Sequence, residues 1–124
     1  MNPLIPENGG KSIFARPDPE DLSIPARQIS ELRVEPTPNG AIIYATAIAA
    51  RQGAHDLELR RVPDTDPDVL EYTFRVVYPV AATPSGSEHS RTVQAAVTVS
   101  KQFLREVRII RVIGAENQRE TRRR

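Results

Sequence analysis

The sequence predicts an all-β fold, and three observations lead to this expectation. From residue 28 onward, short apolar runs are separated by turn residues at intervals of roughly 8–15 positions. Several runs alternate apolar and polar residues with a period of two, as half-buried strands do. Helical apolar spacing is confined to residues 101–107. We therefore expect an immunoglobulin-like or fibronectin-like Greek-key sandwich of six to seven strands with one short helical turn. A small barrel is the alternative.

The chain of 124 residues has the length of a single domain and is expected to divide into three parts. Residues 1–27 contain five of the eleven prolines. They predict an arm or tether, because proline fixes φ and removes an amide donor. Residues 13–14 and 22–24 are its expected docking points. Residues 28–115 predict the sandwich domain, and residues 116–124 predict an Arg-rich polar tail.

The first two predicted strands are residues 29–35 and 41–50. Between them, Asn39-Gly40 suits the central positions of a type I′ hairpin turn. Residues 41–50 carry no charge on either face, which is typical of a central strand with little water on both sides. The same run is rich in alanine, the best helix former, so a helix is the alternative there.

Residues 54–62 predict the third strand, with Leu57 and Leu59 directed inward. Residues 69–78 predict the clearest strand. One face of it carries Leu70, Tyr72, Phe74, Val76 and Tyr78. Residues 92–100 and 108–113 predict the last two strands. The helical turn between them is expected to carry the chain from one sheet to the other.

Composition excludes several classes of function. The chain contains no cysteine, which excludes disulfides, thiolate metal sites and thiol catalysis. No apolar run approaches the length of about 20 residues that a membrane-spanning helix needs. Neither a Gly-rich phosphate loop nor a nucleophile elbow is present. We therefore expect a protein that is not an enzyme and that uses no cofactor.

The residues that would carry metal chemistry are few. His55 lies beside Asp56, and His89 is the only other histidine. A stable site needs three or four ligands, so a metal enzyme would require both histidines to meet two carboxylates. The loop at residues 63–68 has the carboxylate spacing of a calcium loop. It lacks the glycine and the glutamate that complete one, so we expect a plain acidic loop.

Charge is distributed unevenly along the chain. The net charge is +1 overall, but residues 101–124 contain eight basic and three acidic side chains. This asymmetry predicts a possible contact with an anionic lipid surface or a nucleic-acid backbone. The aromatic side chains lie on the expected core face, which disfavours binding of single-stranded nucleic acid. The candidate partner or anion contacts are Arg119, Arg122, Arg123, Arg124, His55 and His89.

Several short runs resemble a group of small bacterial envelope proteins. The runs are Pro38-Asn39-Gly40-Ala41-Ile42, Gln52-Gly53 with Leu57-Glu58-Leu59, Tyr72-Thr73-Phe74-Arg75-Val76 and residues 109–117. Several members are lipoproteins with a Pro-rich tether and one β-sandwich domain. The resemblance implies a periplasmic or outer-membrane-anchored protein if a signal segment with its lipidated cysteine has been removed, and a cytoplasmic one otherwise. It brings no catalytic residues.

Taken with the expected organisation, these observations predict a non-catalytic binding or structural module of the bacterial cell envelope. It would present strand edges and loops to a protein partner, as a monomer or a weak oligomer. The expected contact loops are residues 51–54, 63–68 and 81–91, because function usually lies on loops between strands. Binding of an anionic surface or a nucleic acid through the Arg-rich C-terminus is the alternative function.

Overall fold

The computed structural model describes residues 20–123, and it confirms the predicted all-β sandwich with a short helical turn. In this part of the chain the strands are β1 (Ile24–Pro25), β2 (Gln28–Thr37), β3 (Gly40–Ile48), β4 (His55–Arg61), β5 (Val69–Val77), β6 (Thr92–Ser100), β7 (Ile109–Ile113) and β8 (Gln118–Arg122). A 3₁₀ turn, His89–Arg91, precedes β6. The helical turn α1 (Lys101–Leu104) follows it.

The strands form two sheets. In the three-stranded sheet, β3 lies between β2 and β6, and both pairings are antiparallel. In the five-stranded sheet, β4 occupies one edge of β5. The other edge of β5 is shared by β7, which pairs in parallel along its first half, and by β1 near its end. The turn α1 connects β6 in one sheet with β7 in the other, which confirms the predicted crossover.

The core lies between the sheets and is supplied mainly by their central strands. The fully buried large side chains on β5 are Leu70, Phe74 and Val76. Opposite them, β3 directs Ile43 and a row of alanines inward. Below this core, Leu104 of α1 and Val107 close one end of the sandwich. The alanine-rich run is a strand because pairing on both edges outweighs its helix propensity.

The predicted hairpin between β2 and β3 is confirmed, but the predicted turn type is wrong. Thr37 pairs with Gly40, so the two central residues of the turn are Pro38 and Asn39. A type I′ turn requires positive φ at both positions, and proline cannot adopt it. Gly40 instead begins β3 at a close approach of two strands. A Cβ there would overlap the carbonyl oxygen of Val99.

The segment expected to be a polar tail forms β8, so this expectation is wrong for residues 118–122. These residues pair antiparallel with β7. Their composition is polar because β8 is an edge strand, held by backbone hydrogen bonds rather than by apolar burial. Asn117, just before β8, joins the two sheets. Its side-chain amide accepts from Ile29 N at 2.7 Å and donates to Ile29 O at 3.0 Å.

The last residues of the N-terminal arm dock on the five-stranded sheet. Ile24 and Pro25 form β1, which pairs with residues 75–76 of β5. The contacts that hold this segment are polar, because Leu22 and Ile24 are exposed while Ser23 accepts two hydrogen bonds from the Arg75 guanidinium. The other expected docking point, residues 13–14, and the rest of residues 1–19 lie outside the described residues. None of the helical segments within residues 20–123 has the length and apolar character that a membrane crossing requires.

Candidate functional site

The three predicted contact loops lie at opposite ends of the sandwich. Residues 49–54 and 78–91 connect strands at one end, here called the loop end, and residues 114–117 lie beside them. Residues 62–68 lie at the other end, here called the helix end, where Arg108 N donates to Asp68 O at 2.7 Å. Two of the three loops therefore share one surface, and the third does not.

Arg51 is the residue that orders the long loop at the loop end. Its guanidinium donates to the carbonyl oxygens of Pro79 at 2.7 Å and Ala81 at 2.9 Å, and to Thr83 Oγ1 at 3.0 Å. It also lies over the ring of Tyr78, 5.1 Å from its centroid. The planar, permanently charged fork of arginine suits several acceptors at once. One side chain thereby holds the backbone of the loop.

Gln52 extends this connection along the loop. Its backbone N–H donates to Pro84 O at 3.1 Å, and its carbonyl accepts from Thr83 Oγ1 at 2.7 Å. Its side chain donates to Ser90 Oγ at 3.3 Å. At the end of the loop, the backbone carbonyl of Arg91 accepts from Ala49 N, and the Arg91 guanidinium donates to Ala49 O. The two loops are therefore cross-linked by hydrogen bonds along most of their length.

The loop is ordered although most of its side chains face solvent. Residues 80–82 and 84–90 are exposed, and Val80 is fully exposed. Loops that a rigid scaffold holds in place are common positions for binding residues. An exposed surface whose backbone is already held in place loses little conformational entropy on binding. The loop end is therefore suited to binding a macromolecular partner.

An apolar hollow lies next to this loop. It is an open cavity of about 300 Å³, lined by Ile24, Pro25, Arg27, Ala50, Tyr78, Ala115 and Glu116. The Tyr78 hydroxyl accepts from Ala50 N at 2.8 Å, which fixes the ring in the wall of the hollow. An ion pair between Arg27 and Glu116, 3.0 Å apart, forms part of its rim. An apolar floor with a charged rim fits an apolar side chain of a partner.

Both histidines lie at the loop end, but within the described residues they form no metal site with carboxylates. His55 begins β4, and its Nδ1 lies 3.5 Å from Asp56 Oδ2, with both side chains exposed. His89 lies in the 3₁₀ turn and is exposed. Within residues 20–123, no group of three or more His, Cys, Asp or Glu side chains comes together as a potential metal site. The cluster that a metal enzyme would need is thus not assembled there.

Two of the C-terminal arginines, Arg119 and Arg123, donate hydrogen bonds to backbone carbonyl oxygens although both are exposed. Arg119 Nε donates to Ile29 O at 3.0 Å. Arg123 donates to the carbonyl oxygens of Leu104 at 2.5 Å and Val107 at 2.8 Å, at and just beyond the end of α1, and Leu104 O also accepts from Val107 N at 3.0 Å. Arg122 is exposed at the end of β8, and Arg124 lies outside the described residues. Two of the four predicted anion contacts therefore hold the fold.

The backbone of the acidic loop at the helix end is held by hydrogen bonds. Asp64 has a left-handed φ of 63°. The carbonyl oxygens of Asp66 and Asp68 accept from Val69, Arg108 and Ile109.

Ion pairs cover the outer face of the five-stranded sheet. Arg111 lies between Glu71, at 2.8 Å, and Glu120, at 2.9 Å. The carboxylates of Glu120 and Glu71 raise the pKa of Arg111 above its usual value. Farther along the sheet, Arg60 contacts Asp21 at 2.7 Å. Hydrogen bonds from Arg60 and from Ser23 hold the pKa of Asp21 well below its usual range.

Comparison of this chain with protein-family models, curated proteins and solved structures finds no match.

Sequence reasoning missed the residues that organise the loop end. Arg51 looks like an ordinary turn residue, since its acceptors lie 28 to 32 positions away. Tyr78 was expected on the core face. It does lie at the end of that row, half-buried, with its hydroxyl directed to Ala50. Neither role has a local sequence signal, because both depend on two loops meeting at one end of the sandwich.

Proposed function

We propose that this chain is a non-catalytic protein-binding module whose loop end contacts the partner. The observation that carries the proposal is the loop at residues 78–91, which is exposed along most of its length yet held by Arg51. Clustered loops at one end of a sandwich are the arrangement with which immunoglobulin-like domains bind their partners. The strands act as the rigid support, and the loops supply the contacts.

The chemistry of the loop end defines the kind of partner. The hollow accepts one apolar side chain, and its burial against Ile24 and Tyr78 provides the main driving force. Arg27 and Glu116 on the rim select a polar or charged neighbour on the partner. Val80, two residues beyond Tyr78, adds a second apolar contact. A protein surface or peptide with an exposed apolar residue fits this description.

A site-specific cross-linking experiment tests the position of the contact. A photoreactive amino acid replaces Val80 in the full chain, and a control chain carries it at Gln118, an exposed position on β8. We expect a discrete cross-linked protein from the Val80 position alone. Equal products from both positions would contradict a contact at the loop end.

Binding to the partner identified in this way is then measured with purified proteins. Ile24→Glu places a charge at the mouth of the hollow, and we expect at least about a tenfold loss of affinity. Gln118→Lys is the control and should bind as the natural chain does. Unchanged affinity for Ile24→Glu would overturn the proposed site. Turnover of a broad panel of hydrolase substrates by the purified chain would overturn the non-catalytic role.

The location in the cell envelope is part of the proposal and is supported by the resemblance to envelope proteins. Fractionation of cells that make the natural gene product tests it, and recovery in the cytoplasm would contradict it. Binding of an anionic surface through the C-terminus receives less support, because Arg119 and Arg123 donate to backbone carbonyls. Deletion of residues 117–124 would remove β8 as well as the charges, so single substitutions of Arg122 are the better test.

A further inference from the structure

The outer face of the three-stranded sheet is uncharged along two of its three strands. The outward residues of β3 are Ile42, Tyr44, Thr46 and Ile48, and those of β6 are Thr92, Gln94, Ala96, Thr98 and Ser100. Antiparallel sheets that face water usually present polar residues there. We call this surface the β3 face. Its central row is apolar except for Thr46.

Charge on the β3 face is confined to one margin, strand β2. Arg33 pairs with Glu35, and its guanidinium stacks on the ring of Tyr44 at 4.2 Å from the centroid. Within the described residues, no ion pair involves Glu31. The opposite margin, β6, is neutral. The β3 face thus has an apolar centre, a charged margin and a neutral margin.

We propose that the β3 face binds the same face of a second copy of this chain, related by a two-fold axis parallel to the strands. This symmetry places β3 of one copy directly against β3 of the other copy. It also places the charged margin of each copy on the neutral margin of the other, so that no like charges meet. An interface in which no like charges face each other avoids the repulsion that disfavours wrong pairings.

The strand register shows which side chains would meet. Glu31, Thr46 and Gln94 lie in one row across the sheet. In the two-fold arrangement, Glu31 of one copy therefore faces Gln94 of the other. Among the described residues, the Gln94 amide holds only a long contact with Thr46 Oγ1, at 3.5 Å. It can therefore donate to the Glu31 carboxylate of the second copy in a charge-assisted hydrogen bond.

The size of the face sets the strength of this association. The strands of this face are about nine residues long, and the sheet is three strands wide. The face therefore measures roughly 30 by 14 Å, or about 400 Å² per copy. Specific interfaces of standard size bury about 800 Å² per partner. The dimer is therefore weak, and it forms at high protein concentration.

Sedimentation velocity of the full chain, from roughly 10 µM to 1 mM, tests the dimer. We expect the sedimentation coefficient to rise with concentration. Thr46→Lys places two ammonium groups against each other at the centre and should abolish the rise. Gln118→Lys, on the outer face of the other sheet, should retain it. A monomer at every concentration, or a dimer that survives Thr46→Lys, would overturn the proposal.

A pair of substitutions at Gln94 tests the symmetry. Gln94→Glu opposes Glu31 of the second copy and should weaken the dimer by about tenfold, whereas Gln94→Lys should strengthen it. A different partner surface would not require these opposite signs. Changes in the same direction would contradict the two-fold arrangement. Circular dichroism confirms that each variant is folded before its association is measured.

Discussion

The two central strands of the sandwich, β3 and β5, distribute large and small side chains in opposite ways. Strand β5 directs its large apolar residues into the core and presents Glu71, Thr73 and Arg75 outward. Strand β3 directs alanines and Ile43 into the core and presents larger side chains, among them Tyr44, outward. The large side chains of β5 and the small ones of β3 thus belong to one buried core.

This difference explains why the two outer faces have different chemistry. The outer face of β5 is polar, and its charges are paired within the sheet, as at Glu71, Arg111 and Glu120. The outer face of β3 is largely apolar and carries no charge of its own. A sheet whose core side is lined by alanine can place its larger residues outside. We infer that association is more favourable on the β3 side.

The largest expected effect compares one aromatic residue from each central strand. Phe74→Ala empties the centre of the core and should lower the free energy of unfolding by about 3–5 kcal/mol. Tyr44→Ala removes a half-buried ring and its stacking with Arg33, and should cost about 1 kcal/mol. Urea unfolding followed by circular dichroism measures both. Equal losses would contradict the conclusion that β5 directs its large side chains into the core whereas β3 directs them outward.

A smaller effect is expected where the core is lined by alanine. Ala45→Leu adds volume to a buried position opposite the large side chains of β5, and should cost about 1–3 kcal/mol through overpacking. The neighbouring outward change, Thr46→Val, should stay within about 0.5 kcal/mol. The same unfolding measurement applies. A fully stable Ala45→Leu variant would mean that the two strands leave unfilled space between them.

The hydrogen bonds between Asn117 and Ile29, which join the two sheets, should contribute less to the free energy of unfolding than the core does. Asn117→Ala leaves both backbone groups of Ile29 without the amide that pairs them, and should cost about 1–2 kcal/mol. Gln118→Ala is the control, because this side chain is exposed and forms no hydrogen bond within the described residues. Thermal unfolding of both variants measures the difference. Equal stability would show that Arg119 alone is sufficient to hold Ile29.

The smallest effect is expected at the arm on the five-stranded sheet. The pKa of Asp21 in the folded chain lies well below the unfolded value of 3.8, so the stability that this contact adds is complete above that pH and is lost as pH falls from that value through the lower pKa of the folded chain. Hydrogen exchange of the Ala26 amide, which donates to Phe74 O at 2.8 Å, reports docking of the arm. Its protection factor should fall in acid and should be insensitive to pH in Asp21→Asn. Acid sensitivity in both proteins would assign the effect to another group.

Most strands were predictable because period-two alternation is a local property of the chain. The order of residues 69–78 indicates which side of β5 is buried, since one face is apolar and the other polar. The order of residues 41–50 does not indicate which side of β3 is buried, because both faces of that run are uncharged. Its buried side is decided by the large side chains of β5, which leave room mainly for alanine. The candidate site was predictable only as a set of loops, two of which meet.

The sequence by itself determined the all-β class, the hairpin between β2 and β3, and the crossover through α1, because alternation, turn residues and a helical turn act over a few neighbouring positions. Only the tertiary structure decided that residues 118–122 form an edge strand and that Arg51 orders the loop end. It likewise decided which face of β3 is buried. In each case the partner groups lie far apart in the chain. Hydrogen bonds and packing between such groups exist only once the two sheets have come together.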